Sequence, residues 1–370
     1  MTLTNLLPLI IFSLFLFFAW AVTARSSVTE ISNGNRFDYI DGLRGIAAVG
    51  VVATHFWRIT PSGSGVSFLF EGRANYGPLG VQIFFCITGF LFFGQMIHRR
   101  GEFSWDVFYR SRVRRIVPGY LVFYVLGVMA VIIYGDVGKA SFGQLANIVD
   151  MAFMGFAGKG EGKVFAAVHL DLIFGVIWTL KYEILFYTSF PFVVYFIARV
   201  GVGAGFAIIF AIVMYELART GETFFGYFLT GGVAYLLARK FSPPIAVRLV
   251  FGFFILFLVF YLIYSSYPSY GWERFLLASL LFLLIALCKP KILSSRPLRL
   301  LGDISYSMYL LHAPVLIVNR VFFRDVVSVG HYGGGVFILV TFVGVMTVFV
   351  LSLIQYKYIE LPFIRKSSIG

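Results

Sequence analysis

The sequence predicts an all-α, polytopic transmembrane helix bundle of eleven spans, and three observations carry that prediction. The 370-residue chain is 59% hydrophobic with 44 phenylalanines and has a mean hydropathy of +0.89, far from the balance of a soluble globular domain. Its apolar runs repeatedly reach the roughly 17 to 25 residues that a hydrocarbon core requires. Its basic residues alternate between dense and sparse loops, as membrane orientation demands.

The first span, 3–24, contains LLPLIIFSLFLFFAWAV. It is read as a retained helix rather than a cleaved signal peptide, because no Lys or Arg precedes it and its apolar stretch is long for a signal. Further spans are expected at 43–60, 78–97, 116–134, 176–198, 202–217, 223–239, 247–265, 271–288, 304–322 and 335–359. Pro118 would occupy the first turn of its span, where a missing N–H costs nothing. Segment 141–157 is interrupted by Asn147 and Asp150. A crossing there would invert everything downstream, so residues 135–175 are expected to form one long outer-side loop with an interfacial helix. A loop of that length is usually functional or a lid. Cys86 and Cys288 fall in or beside spans, which points to neither a disulfide framework nor a metal site. The chain has no internal repeat, and the few residues after the last span leave no appended soluble domain to expect.

The net charge of +13 raises the question of nucleic acid, but its distribution answers it. With the loop after the first span cytoplasmic, that side collects 20 of the 30 basic residues, including Arg25, Arg36, the six arginines between Arg99 and Arg115, Arg239, Lys240, Lys289, Lys291 and Arg299. The outer side receives nine, namely Arg58, Arg73, Lys139, Lys159, Lys163, Arg219, Arg274, Arg320 and Arg324. The excess is a topology signal, and no nucleic-acid partner is expected.

Four stretches carry ionisable groups into or beside the spans. In DGLRGIAAVGVVATH, Arg44 and His55 are eleven residues apart, which on a helix puts them on one face about 16 Å apart. His55 is open to two readings: a neutral imidazole bonded between helices, or a reactive group facing a cavity. Asp38, Asp41 and Arg44, at three-residue spacing, are placed for a local ion pair. In FYRSRVRRIVPGY, Arg112 and Arg115 share a face; such a cluster anchors orientation, and its guanidinium forks also suit phosphate oxygens. In WTLKYEILFY, Glu183 and Tyr187 share a face whereas Lys181 points elsewhere and is expected to snorkel outward. Glu183 is either functional or the anchor of a buried polar network. In ISYSMYLLH, Ser305, Tyr309 and His312 form one stripe, with His312 a second imidazole in the membrane; Tyr306 and Tyr309 also fit an aromatic belt. Glu360, in YIELPF, reads as a solvated charge just past the last span.

Taken in order, these stretches resemble the acyltransferase 3 family of integral-membrane O-acyltransferases, over residues 38 to about 362. The entry DGLRG with a histidine eleven residues after Arg44 is the most specific element, supported by GVQIFFCITGFLF at 80–92, Arg112 and Arg115 ahead of Pro118, WTLKYE, ISYSMYLLH and IELP. Three departures stand out: Thr88 and Thr179 where the family commonly has Ser, and Leu361 where a basic residue is common. The resemblance implies a ten-helix acyltransferase core at 38–362, preceded by an extra transmembrane helix and linker at 1–37 and followed by a short cytoplasmic tail at 363–370. It also implies His55 as the catalytic histidine, Arg44 in the same essential motif, and Arg112 with Arg115 holding the donor. Glu183 completes the expected catalytic set, and Tyr306 and His312 the expected cofactor-binding set. The donor would be acetyl-CoA or another acyl-CoA, without a metal. The acceptor would be a hydroxyl of a saccharide or lipid-linked saccharide, such as lipopolysaccharide O-antigen or exopolysaccharide, with membrane lipid as surroundings and the bacterial inner membrane as location. Intramembrane His, Glu and Lys also suit a proton-coupled membrane transporter, the rival reading, although no paired halves with matching interruptions occur.

The topology is testable by labelling. Cysteines introduced at Lys159 and Lys291 should react with an impermeant reagent from opposite sides of the membrane; reaction from one side would overturn the span count.

Overall fold

The computed structural model describes residues 7–25, 37–56, 75–100, 102–156, 163–221, 224–322 and 334–367. Arg36, Arg58, Arg73, Lys159 and Arg324, counted above for topology, lie outside the described residues. The chain folds almost wholly into helices. These are α1 (Leu7–Arg25), α2 (Asp38–His55), α3 (Tyr76–His98), α4 (Trp105–Tyr134), α5 (Leu145–Ala152), α6 (Asp171–Phe174), α7 (Trp178–Val200), α8 (Val202–Thr220), α9 (Phe224–Lys240), α10 (Ile245–Tyr264), α11 (Trp272–Cys288), α12 (Arg296–Asp303), α13 (Ser305–Phe322), α14 (Gly334–Gln355) and α15 (Leu361–Ser367). Seven described helical segments are long and apolar enough to cross a membrane, or eight if the bent pair α12 and α13 is one span. Helices α2, α9 and α11, at 18, 17 and 17 residues, lie at three further expected spans but are not among the helices long and apolar enough to cross. The protein is a multi-pass membrane bundle.

Helix α2 lies at its centre, against α1, α3, α12 and α13. It is buried over nearly its whole length although Asp38, Asp41 and Arg44 occupy its first two turns. Small residues make that possible, because lipid supplies no hydrophobic drive between helices and close backbone packing must replace it. A Cβ added at Gly42 would run into the backbone carbonyl of Leu293, and one at Gly302 into that of Asp41; one at Gly45 would come within 2.7 Å of Leu298 O. The glycines of DGLRG are thus the places where the chain after α11 presses on α2. At the periphery, α10 fully buries only Leu258 and Leu262 and turns Leu249, Phe253, Leu256, Phe257 and Phe260 outward, as a lipid-facing helix does.

Four boundaries differ from expectation. Helix α4 starts eleven residues before the apolar run, so the arginine cluster is helical and Pro118 lies in the helix interior rather than its first turn. An apolar window ends where charge begins, whereas helical hydrogen bonding does not. Helix α2 ends at His55, which puts that residue about 26 Å along the axis from Asp38. The last span continues past 359 through a π turn at Tyr356–Glu360 into α15. Glu360 is consequently not a solvated charge: it is 2% exposed and accepts hydrogen bonds from Ser307 Oγ at 2.6 Å and Gln355 Nε2 at 3.0 Å. Finally, α13 is preceded by α12 at a 65° bend.

Among the described residues of 135–170, no helix is long and apolar enough to cross a membrane. Helix α5, eight residues and about 12 Å long, is followed by a hairpin of β1 (Val164–Phe165) and β2 (Val168–His169), paired antiparallel with Val164 opposite His169. The interrupting polar residues hold this lobe together: Asn147 Nδ2 donates to Val164 O at 3.0 Å, and Asp150 pairs with Lys163. Tyr120 and Tyr124 of α4 donate to the carbonyls of Met151 and Ile148. Lys181 does reach away from its helix, and its destination is this lobe, where Nζ donates to Gly155 O at 2.6 Å.

The glycine seam gives a direct stability test. Gly42→Ala should destabilise the detergent-solubilised protein by about 1–3 kcal/mol, the usual cost of overpacking. Gly203→Ala, where an added Cβ meets nothing within 4 Å, should leave its thermal unfolding unchanged. Equal melting temperatures for the two variants would mean the seam yields.

Candidate functional site

Five helices enclose a cavity of about 850 Å³, open mouth included. Helix α2 contributes Arg44, α3 Thr88 and Phe92, α4 Arg112 and Arg115, α7 Thr179, Glu183 and Tyr187, and α13 Ser305, Tyr306 and Tyr309. Three guanidinium groups and one carboxylate therefore face one space, an excess of positive charge suited to a polyanion. Each is fixed differently. Arg44, its side chain 13% exposed, pairs with Asp41 at 3.3 Å, the local ion pair expected from their spacing. Asp38 instead reaches Arg299 of α12 at 3.0 Å. The Arg112 guanidinium lies 5.0 Å from the Phe92 ring centroid, and Phe92 in turn stacks on Tyr187 at 5.0 Å and 13°. Such a face-on contact holds the guanidinium plane while leaving its N–H edges able to donate. The Tyr187 hydroxyl donates to the Glu183 carboxylate, as their four-residue spacing on one helix permits.

Tyr306 donates to Ile116 O at 2.9 Å, two residues before the helix-interior Pro118. Its ring, Glu360 and Gln355 crowd Gly119, where an added Cβ would come within 2.9 Å, 3.0 Å and 3.1 Å of them. Glu360 thus belongs to the layer behind the arginines.

The cavity's inner end is closed by Tyr309 and Thr179. Tyr309 Oη donates to Val176 O at 2.7 Å, which leaves Thr179 Oγ1, also at 2.7 Å, to donate to Tyr309 Oη. Beyond Tyr309, whose ring meets His312 edge-on at 6.1 Å, stand the two imidazoles. His55 and His312 are 4.9 Å apart between ring centroids, and His312 Nε2 is 3.2 Å from His55 Nδ1.

The structure thus gathers Arg44, Arg112, Arg115, Glu183 and Tyr306 around one cavity and sets His55 and His312 against each other behind its inner wall. His312 touches the other histidine rather than the arginine-lined space. Sequence reasoning missed Phe92 beneath Arg112, the Thr179–Tyr309 closure and the burial of Glu360. Tyr309 had a signal, since it shares the stripe of Ser305 and His312; Phe92 and Glu360 lie in the family-like stretches at 80–92 and 359–362, which did not reveal their partners.

Comparison with known proteins points the same way. The model of the acyltransferase domain family, Acyl_transf_3, matches residues 37–356. The chain is similar to the O-acetyltransferase OatA of Staphylococcus aureus strains NCTC 8325 / PS 47, COL and MRSA252, at 23% identity over 371 residues in each case. Those alignments cover 88% of this chain and 57% of each relative, so the chain spans little more than half the length of the relatives it matches. No solved structure matches it.

The arginine wall can be probed with coenzyme A as a phosphorylated ligand. Arg112→Ala or Arg115→Ala should weaken its binding, raised salt should reproduce part of the loss, and lysine at either position should restore it incompletely because it lacks the paired fork. Normal binding by both folded alanine variants would return the cluster to a topology anchor.

Proposed function

This chain belongs to the acyltransferase domain family, and from that membership and the site's geometry we propose that it is a membrane O-acetyltransferase. It would move an acyl group, most simply acetyl, from cytoplasmic acyl-CoA to a hydroxyl of a cell-surface saccharide or lipid-linked saccharide, such as O-antigen or exopolysaccharide, in the bacterial inner membrane. One observation carries the reading: a cavity walled by Arg44, Arg112 and Arg115 is also lined by Tyr309, whose ring meets His312, and His312 in turn meets His55. Coenzyme A is a phosphorylated head on a long thin arm. Arginines at the mouth match the head, and an imidazole farther along the same axis matches the thioester.

In this reaction Arg112 and Arg115 bind phosphate oxygens, with Arg44 adding positive charge to the same cavity wall. Glu183 holds Tyr187 beneath Arg112 and keeps the wall in register. The histidine either removes the proton of the acceptor hydroxyl as that oxygen attacks the thioester carbon, or accepts the acyl group first. Both routes need a neutral imidazole, so turnover falls on acidification. Tyr309 and Thr179 stand between the cavity and the histidines, which requires the thioester to pass their hydrogen-bonded closure. The relatives' designation as O-acetyltransferases supports acetyl as the group moved and oxygen as its destination.

Replacement of His55 tests the proposal. His55→Ala should insert into the membrane normally, since losing a polar group eases insertion. Transfer of labelled acetyl groups from acetyl-CoA should fall by at least ~10²- to 10⁴-fold, the range for a positioned acid–base group. His55→Gln should do no better, because an amide cannot take up a proton near neutral pH. Near-normal transfer by folded His55→Gln would remove His55 from the chemistry.

A further inference from the structure

The two imidazoles come from helices far apart in the chain, and their surroundings fix which nitrogens carry hydrogen. His55 Nδ1 lies 2.8 Å from Val51 O, and His312 Nδ1 lies 3.1 Å from Met308 O; each carbonyl is four residues back on the histidine's own helix. A carbonyl oxygen only accepts, so each Nδ1 must donate. The opposite tautomer at either ring would set a nitrogen lone pair against an oxygen lone pair at those same distances. Neutral His312 therefore carries its lone pair on Nε2, and that atom is the one 3.2 Å from His55 Nδ1. The His55 N–H is shared between Val51 O and His312 Nε2. By the same assignment the basic nitrogen of neutral His55 is Nε2.

We propose that His312 is a positioning residue for acyl transfer, in place of the donor-binding role the sequence suggested. It accepts from the His55 Nδ1–H that Val51 O already fixes, orients the ring so that basic Nε2 points away from it, and stabilises the imidazolium that forms there. The inference rests on the acyl-transfer reading above and names the nitrogen that performs it. The acceptor's O–H proton passes to His55 Nε2 as its oxygen bonds to the acyl carbon. The carbon–sulfur bond breaks with its electron pair on sulfur, and the Nε2 proton then passes to that thiolate, so coenzyme A leaves as the thiol and His55 returns neutral. As positive charge develops on His55, its Nδ1–H becomes a stronger donor and its bond to His312 tightens. A carboxylate does this orienting work in serine hydrolases. Here the acceptor is a neutral ring, 0% exposed, which brings no second charge into an apolar bundle.

Two measurements on the full chain in proteoliposomes test this. With ¹⁵N-labelled histidine, and His55→Ala to assign its signal among the five histidines, His55 should appear at neutral pH as the Nδ1–H tautomer. His312→Leu should keep Nδ1–H, held by Val51 O alone, but with a weaker hydrogen bond and a shifted Nδ1 resonance, whereas His312→Gln, whose side-chain oxygen can accept the same hydrogen bond, should restore that resonance. In acetyl-CoA turnover, His312→Leu should lower kcat at least ~10-fold, less than the ~10²- to 10⁴-fold expected for losing the base itself. Its KM for acetyl-CoA should be unchanged, and His312→Gln should recover most of kcat. An Nε2–H tautomer in the unmodified protein, equal losses in the Leu and Gln variants, or a loss expressed in KM overturns the role. Should His312→Leu not fold, a His312→Gln variant that folds but has lost kcat overturns it equally. Turnover that survives His312→Leu sinks this role alone; absence of acetyl-CoA turnover in the unmodified protein sinks the proposed function with it.

Discussion

The arrangement of this bundle depends on how closely the segment after α11 approaches α2. Gly42, Gly45 and Gly302 remove the side chains that would otherwise hold the backbones apart, and the contact is made backbone to backbone. In lipid, where apolar side chains gain nothing by leaving their surroundings, such close packing supplies much of the attraction between helices. The same approach has a chemical result. Helix α12 lies on the first half of α2, the chain bends by 65°, and α13 then rises beside the second half, bringing His312 to His55. The glycines near Arg44 thus set the geometry of the imidazoles more than two helical turns away.

A bundle this apolar can hold charge only where each group finds a partner or a wet cavity. Asp38 and Arg299, Asp41 and Arg44, and Asp150 and Lys163 are direct ion pairs. Glu360 instead receives two neutral donors. Arg274, which is 0% exposed, donates to Leu262 O at 2.7 Å, Ser265 Oγ at 3.1 Å and Asn75 O at 3.3 Å, tying the α10–α11 turn to the start of α3. Arg112 and Arg115 differ from these, because they face the cavity rather than a carboxylate on the next helix. That difference supports the donor-binding role proposed for them, and Arg44 combines both features, paired with Asp41 and lining the cavity.

The helices were legible in the sequence because an apolar run of span length has few other uses, and basic residues mark which loops belong together. Arg44, Arg112, Arg115 and Glu183 were legible as candidates for the same reason: charge in an apolar context is costly and needs an explanation. What periodicity supplies is the face of a helix, not its partner. The stripe of Ser305, Tyr309 and His312 was visible, but nothing local indicates that α13 packs on α2 rather than elsewhere, so the histidine pair was not. Glu360 was misread because it follows the apolar run, and a π turn then carries it back into the bundle. Pro118 was misplaced because the helix begins in polar sequence. The fold of 135–175 was hidden for a related reason: Asn147, Asp150 and Lys163 stabilise it through contacts across its own loop, which no periodic pattern records.

Two helices join that lobe to the cavity. On α4, Arg112 and Arg115 face the cavity, while Tyr120 and Tyr124, two to three turns on, hold the carbonyls of α5. On α7, Lys181 reaches the lobe at Gly155 while Glu183, two residues later and on a different face, looks into the cavity. Thr179, one turn before Glu183, closes the inner wall with Tyr309. A displacement of the lobe must therefore either break the lysine and tyrosine bonds or shift α4 and α7 with it. Because α7 has no proline between Thr179 and Tyr187, the second course moves the Thr179–Tyr309 closure with the lobe. On α4, by contrast, Pro118 lies between the arginines and the tyrosines and lets the helix bend there. The lobe and the inner wall are coupled to the histidines through α13, the one helix that carries both Tyr309 and His312.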